Sequence, residues 1–217
     1  MGLIKQTITD IKSESIYFGV IMLSNLTFAD CFRPAQKRLA FAYEAILILG
    51  SSLLIAISAQ VAFGWPVPVT GQTFAILLLA ASLGSRRAVL AVLAYICEGL
   101  AGLPVFAQCK AGLPVLLGPT GGYIIGFLVA AYLVGSLAER GWSRKIVTMV
   151  AAMVLGNVVI YTFGLSWLAF VIRGVGIQKI LAVGLYPFIP GEFIKVALAA
   201  WLLPTGWKII SAVDNKK

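Results

Sequence analysis

The chain has no histidine and only eight acidic residues in 217, and these two shortages exclude much chemistry. Histidine is the commonest general base and metal ligand near neutral pH. The acids stand singly, so no carboxylate cluster offers a site for a divalent cation. No segment reads G-x-x-x-x-G-K-[ST], so the chain carries no phosphate loop and no ATPase of its own. Three cysteines, Cys31, Cys97 and Cys109, are odd in number and lack metal-ligand spacing. They read as small apolar residues, with a Cys97–Cys109 link as the alternative. No metal and no cofactor is expected. Charge of any kind is scarce, at 12% of residues against about 25% in an average globular domain. Such a chain cannot give a soluble domain a solvated surface.

What is present in excess is apolar sequence, 60% of residues with a mean hydropathy of +0.98. A spanning helix takes about 20 residues, so the chain has room for several spans and none for a soluble domain. Six apolar runs are expected to cross the bilayer, at Leu39 to Phe63, Thr73 to Leu83 (helical from about Val69), Ala88 to Leu103, Thr120 to Ala138, Ile146 to Ile172, and Ile180 to Leu203. The last is broken by Pro187 and Pro190 and ends at Pro204-Thr205-Gly206. Residues 1–38 form an N-terminal extension. Its run Ile16 to Phe28 is too short to span comfortably and reads as an interfacial helix or a loose extension, with a seventh span as the lesser option. Residues 39–207 make the membrane domain and 208–217 a tail.

The net charge of +9 would suggest nucleic acid in a soluble protein. Here the cations flank apolar runs, so they set orientation instead. Alternate loops on one side, with the extension and tail, hold thirteen Lys and Arg, including Arg33, Lys37, Arg38, Arg86, Arg87, Arg140, Arg144 and Lys145. The other side has four, Lys110, Arg173, Lys179 and Lys195. Six spans with both termini cytoplasmic follow from the positive-inside rule, with Ser85-Arg86-Arg87 as a tight basic turn. The proline-rich segments 64–72, 104–119 and 186–191 then all fall outside. Non-helical backbone at membrane depth is tolerated only where protein buries it or it lines a cavity, so a pocket is expected at that face.

The most informative constellation is Pro187-Phe188-Ile189-Pro190-Gly191-Glu192-Phe193-Ile194-Lys195. Pro190 suits a helix start and Glu192 the first turn of a helix. Glu192 and Lys195 are spaced i, i+3 on one face. An ionisable pair among Phe193, Ile194 and Val196 is costly in lipid and should face the bundle interior or water. It is either a ligand-binding pair or an interfacial salt bridge. Gln60, Thr70, Gln72, Thr73, Gln108, Lys110, Tyr123, Asn157 and Tyr161 are further polar residues in apolar sequence. Each taken alone reads first as a helix–helix hydrogen bond or headgroup anchor. Glu98, beside Gly99 and Gly102, is either buried in the bundle or interfacial. Gly118, Gly122, Gly126 and Ala130 recur every four residues and place a smooth ridge on one helix face, read as close helix packing.

Four stretches carry a resemblance: Pro66-Val67-Pro68-Val69-Thr70-Gly71-Gln72-Thr73-Phe74, Gly102-Leu103-Pro104-Val105-Phe106-Ala107, Leu117-Gly118-Pro119-Thr120-Gly121-Gly122-Tyr123 and Pro190-Gly191-Glu192-Phe193-Ile194-Lys195. Over roughly residues 45–205 the chain resembles the BioY family, the biotin-capturing S component of energy-coupling factor (ECF) transporters. The family commonly has Asp where this chain has Glu192, and a Gly- or Asn-rich stretch at Gln108-Cys109-Lys110. The resemblance implies an all-α, six-helix bundle in the inner membrane of a prokaryote, with an external pocket. It implies no enzyme and no nucleic-acid partner. It implies capture of biotin outside, then toppling within the membrane, driven by a membrane scaffold protein and two ATPases. Glu192, Lys195, Gln108, Lys110, Tyr123 and Gln72 are the expected biotin contacts. Ser52 and Ala56, four apart on the first helix, resemble the family's small-residue face and are expected to dock the scaffold. An S component for a different vitamin, or an intramembrane enzyme using Glu192 or Glu98, are the rival readings.

Overall fold

The computed structural model describes residues 26–214, so the run Ile16 to Phe28 lies almost wholly outside the described residues. Eight α-helices follow a short 3-10 turn at Ala29–Phe32. They are α1 (Lys37–Gln60), α2 (Gln72–Leu83), α3 (Ser85–Leu100), α4 (Leu113–Leu117), α5 (Gly121–Glu139), α6 (Ile146–Val171), α7 (Ile177–Gly184) and α8 (Ile189–Asp214). A two-residue antiparallel ribbon, β1 (Ala62–Phe63) with β2 (Val69–Thr70), closes the loop between α1 and α2. Four helices, α1, α5, α6 and α8, are long and apolar enough to cross a membrane. The protein is a multi-pass membrane protein on that ground. α2 has 12 residues and α3 has 16.

The packing is that of a bundle whose outside is lipid. α1 turns Ile46, Leu49, Leu53, Leu54 and Ile57 outward and buries Ser51, Ser52, Ile55, Ala56 and Ala59. In a bilayer large side chains cost nothing on the outside, and small ones let backbones approach within. α5 is the central helix: 67% of its apolar window is buried, against 22% for α1 and α8. Its glycine ridge packs on α6, where a Cβ at Gly122 would collide with Trp167 and with the Phe163 carbonyl. The ridge is thus the packing surface its spacing suggests.

Several boundaries differ from the sequence expectation. α2 starts at Gln72 rather than near Val69, because Val69 and Thr70 pair as a strand with Phe63 and Ala62. The basic turn 85–87 shrinks to one residue, Gly84, at φ +85°. Ser85, Arg86 and Arg87 are already the first turn of α3. The last apolar run divides into α7 and α8, and α8 does not stop at Pro204-Thr205-Gly206. Pro204 lies inside it and residues 208–214 continue the helix. Interior proline is tolerated in membrane helices because neighbours compensate the lost hydrogen bond. Here Phe28 packs on Gly206, and Trp207 donates from Nε1 to Ser143 Oγ at 3.1 Å, which fixes the helix past Pro204.

Candidate functional site

At one end of the bundle the irregular segments fold over one another. Gln60, the last residue of α1, holds one of them. Its Nε2 donates to the carbonyls of Val105 and Phe106 at 3.3 Å each, and its Oε1 accepts from the Cys109 N–H at 3.0 Å. Segment 104–110 is thereby tied to the end of α1. Phe106 is driven under it, 1% exposed, edge-on to Tyr95 with centroids 5.5 Å apart. Only a glycine fits at position 99 on α3, since a Cβ there would collide with the Phe106 ring.

Beneath these segments lies a cavity walled by Val67, Pro68, Thr70, Gln72 and Thr73 on one side. Buried Tyr95 and Phe106 and exposed Lys110 line it as well, and Tyr123, Phe127, Tyr161 and Phe188 form an aromatic wall. Tyr123 stacks on Phe188 at 6.2 Å and 15°, and Tyr161 meets both rings edge-on. The hydroxyl of Tyr123 donates to the Gly184 carbonyl at 2.8 Å, so its ring, not its hydroxyl, faces the space. Gln72 accepts from Thr70 Oγ1 at 3.1 Å and donates to Tyr95 Oη at 2.7 Å. The space open to the centre of a water molecule is about 60 Å³, far below the roughly 300–1,000 Å³ of small-molecule sites. A small-molecule ligand of ordinary size must part the walls to enter. The segment 101–104 is exposed, as are Leu113 and Leu117 of α4.

Glu192 and Lys195 stand one layer behind this wall. The Glu192 carboxylate, 9% exposed, accepts from Thr73 Oγ1 at 2.8 Å, Lys195 Nζ at 2.8 Å and Asn157 Nδ2 at 2.9 Å. Lys195 Nζ also donates to the Thr70 carbonyl and to Thr73 Oγ1, each at 2.8 Å. Phe193 and Ile194 between them point outward, 74% and 64% exposed. The pair thus faces the interior, as the cost of charge in lipid demands. The Tyr161 hydroxyl lies beside Glu192 but is not aligned on it as a hydrogen bond.

Of the six residues expected to touch ligand, Gln72, Lys110 and Tyr123 line the cavity. Glu192 and Lys195 do not line it. They are joined to it through Thr70 and Thr73, because α8 approaches from outside α2. Gln108 is off the site. Its backbone turns left-handed at φ +63°, and its exposed side chain donates outward to the Gly64 carbonyl at 3.3 Å. Ser52 and Ala56 are 1% and 6% exposed, so they offer no docking face. Ser52 Oγ donates to Glu98 Oε1 at 2.7 Å, which ties α1 to α3 inside the bundle. Glu98 is therefore a half-buried helix–helix contact. Tyr95 and Phe127 were not singled out in the sequence, and Phe106 and Phe188 were quoted there only within longer stretches. Tyr95 was legible in principle, as Ala88, Ala91, Val92, Tyr95 and Gly99 form one buried stripe on α3.

The fold is that of a membrane bundle with an aromatic cavity closed by loops at one end, a ligand-binding class of membrane protein. The BioY family model matches residues 33–212, and the chain belongs to the BioY family. A biotin transporter of Thermotoga maritima is 37% identical over 158 residues, 73% of this chain and 87% of that one. A probable biotin transporter of Pyrococcus horikoshii is 37% identical over 159 residues, 73% and 92% of the two chains. A crystal structure of the S-component for biotin from an ECF-type ABC transporter superposes with a TM-score of 0.67. It covers 80% of this chain and 95% of the other at 24% identity, which shows a shared fold.

Proposed function

We propose that this protein captures biotin at the outer face of a prokaryotic plasma membrane as the S component of an ECF uptake system. The observation that carries the reading is the aromatic cavity at the end of the bundle away from Arg33, Arg86, Arg87, Arg140 and Arg144. By the positive-inside rule that end is external. The kinship with biotin transporters supplies the ligand. α1, α2, α3, α5, α6 and α8 are the six crossings, with both termini inside. α2 is short, about 18 Å at 1.5 Å per residue, and the extended segment 64–71 completes its passage.

Biotin offers two ureido N–H donors and one acceptor, an apolar thioether ring, and a chain ending in carboxylate. The apolar rings settle against Tyr123, Tyr161 and Phe188. The ureido group meets the wall of Thr70, Gln72 and Thr73, which Glu192 and Lys195 hold in place and polarise from behind. Lys110 at the mouth pairs with the carboxylate. A mostly apolar pocket with a few fixed polar groups is the usual form of such a site. Release inward follows when a membrane scaffold and two ATPases topple the subunit. The scaffold docks on the lipid-facing side of α1, where Leu49, Leu53 and Ile57 stand exposed, because Ser52 and Ala56 are buried.

Calorimetry on the purified chain, without ATP or partners, tests this against other vitamins. Saturable binding of biotin, and none of thiamine or riboflavin, is expected. No heat from biotin in a folded sample overturns the reading, and binding of another vitamin reassigns the substrate.

A further inference from the structure

The opposite end of the bundle holds a second, larger recess of about 790 Å³ that the transport reading does not use. It runs between α1 and α3. Phe41, Glu44 and Ile48 line it from α1, and Arg86, Arg87 and Leu90 from α3. Arg140 flanks it at the end of α5. Its lining holds four arginines against three carboxylates, an excess of one positive charge.

The acids here are already engaged. Glu44 takes both Nε and Nη2 of Arg87, at 2.6 and 2.8 Å, and Arg33 at 3.2 Å. Asp30 takes Arg87 Nη1 at 2.7 Å. Glu139 accepts from the N–H and hydroxyl of Ser85. Among the described residues, Arg86 and Arg140 have no ion-pair partner, and both are exposed. Leu90 lies one helical turn below Arg86, on the same face, and Ile48 lies one turn below Glu44. Phe41 and Leu90 are 79% and 39% exposed. The recess is therefore cationic at its rim and apolar along its length, as an amphiphile requires.

We infer that this recess binds one anionic phospholipid, its phosphate held by Arg86 and Arg140 and an acyl chain laid along Phe41, Ile48 and Leu90. A free phosphate would leave the apolar half of the recess empty. Basic pockets between membrane helices recognise anionic headgroups through such cations. The occupant would cross-brace α1 and α3 where Arg87 already joins them. The inference does not depend on which vitamin the other end binds.

The test uses the full chain in nanodiscs of phosphatidylcholine alone, of phosphatidylcholine with phosphatidylglycerol, and of phosphatidylcholine with added inorganic phosphate. Native mass spectrometry counts retained lipid, and thermal unfolding reports its effect. A retained phosphatidylglycerol and a raised Tm are expected only in the second case. Each cation near an anionic headgroup contributes about 1 kcal/mol, or about fivefold in affinity. Arg86→Gln with Arg140→Gln should therefore lower retention at least about fivefold, with calorimetric biotin binding unchanged. Phe41→Glu, which keeps both guanidinium groups, should also expel the lipid. Equal retention in wild type and both variants overturns the inference. So does equal stabilisation by inorganic phosphate, which would make the site a simple anion site. Indifference to lipid with capture of an acidic peptide would assign the recess to a protein partner and also overturn it.

Discussion

The two ends of this bundle use polar residues in opposite ways. At the cavity end, among the described residues, a single ion pair, Glu192–Lys195, faces inward and is linked to the cavity wall by two threonines. At the other end, ion pairs join separate segments of chain. Arg87 connects α3 to α1 and to the turn Ala29–Phe32, and Arg144 lies 4.4 Å over the Trp207 ring of α8. The first arrangement shapes a surface, while the second fixes helix ends. A charge lost at the first end should therefore disturb ligand binding and stability together. A charge lost at the second should disturb stability alone.

Lys195→Met should have the largest effect. It strands a carboxylate whose side chain is only 11% exposed, and breaking a buried pair costs about 3–5 kcal/mol. Biotin affinity by calorimetry should fall about tenfold or more, with a lower Tm. Adding Glu192→Gln should restore part of the Tm, as coupled neighbours do. Arg87→Met comes next. Glu44 keeps Arg33, and the Arg87, Asp30 and Glu44 side chains are 12–25% exposed, so the loss should be about 1.5–3 kcal/mol, the range for charged hydrogen bonds. Biotin affinity of the folded fraction should stay at the wild-type value, and a parallel fall would erase the distinction between the ends. Ser52→Leu with Ala56→Leu belongs to neither end. Overpacking at these buried positions should cost about 1–3 kcal/mol. Biotin binding and cellular uptake should then fall together, whereas loss of uptake alone would restore a docking role.

The smallest effect is a pH dependence at the charged end. Burial raises the Asp30 pKa, but hydrogen bonds from the Thr27 hydroxyl and N–H and from Arg87 outweigh it and hold the carboxyl below the usual range. A depressed folded-state pKa stabilises above the unfolded value, about 3.9, and the gain is lost as pH falls through the folded value. Wild type minus Asp30→Asn should thus differ in Tm at neutral pH and converge in acid. A constant difference would exclude the linkage.

Much of this was legible in the chain. The bounds of α5 and α6 followed from long apolar runs between charged or broken segments. The cavity end followed from where the prolines gather. Lys195 and Glu192 were legible as an inward pair because their neighbours must face lipid. Their distance from the cavity was not legible, because it depends on how α8 leans on α2. Pro204 misled because the helix beyond it is held by Phe28 and Ser143, far away in sequence. Ser52 and Ala56 misled for a reason particular to membranes. Small residues suit either a partner helix or a neighbour within the bundle, and spacing does not separate the two. Gln108 misled because a left-handed turn sent its side chain outward.

Hydrogen exchange of the purified chain, with and without saturating biotin, tests the central claim most directly. Protection is predicted in the amides of 62–72, 101–120 and 184–192, with no change in 26–33, 84–88 and 139–145. Protection at the charged end, or none over 101–120, would contradict it.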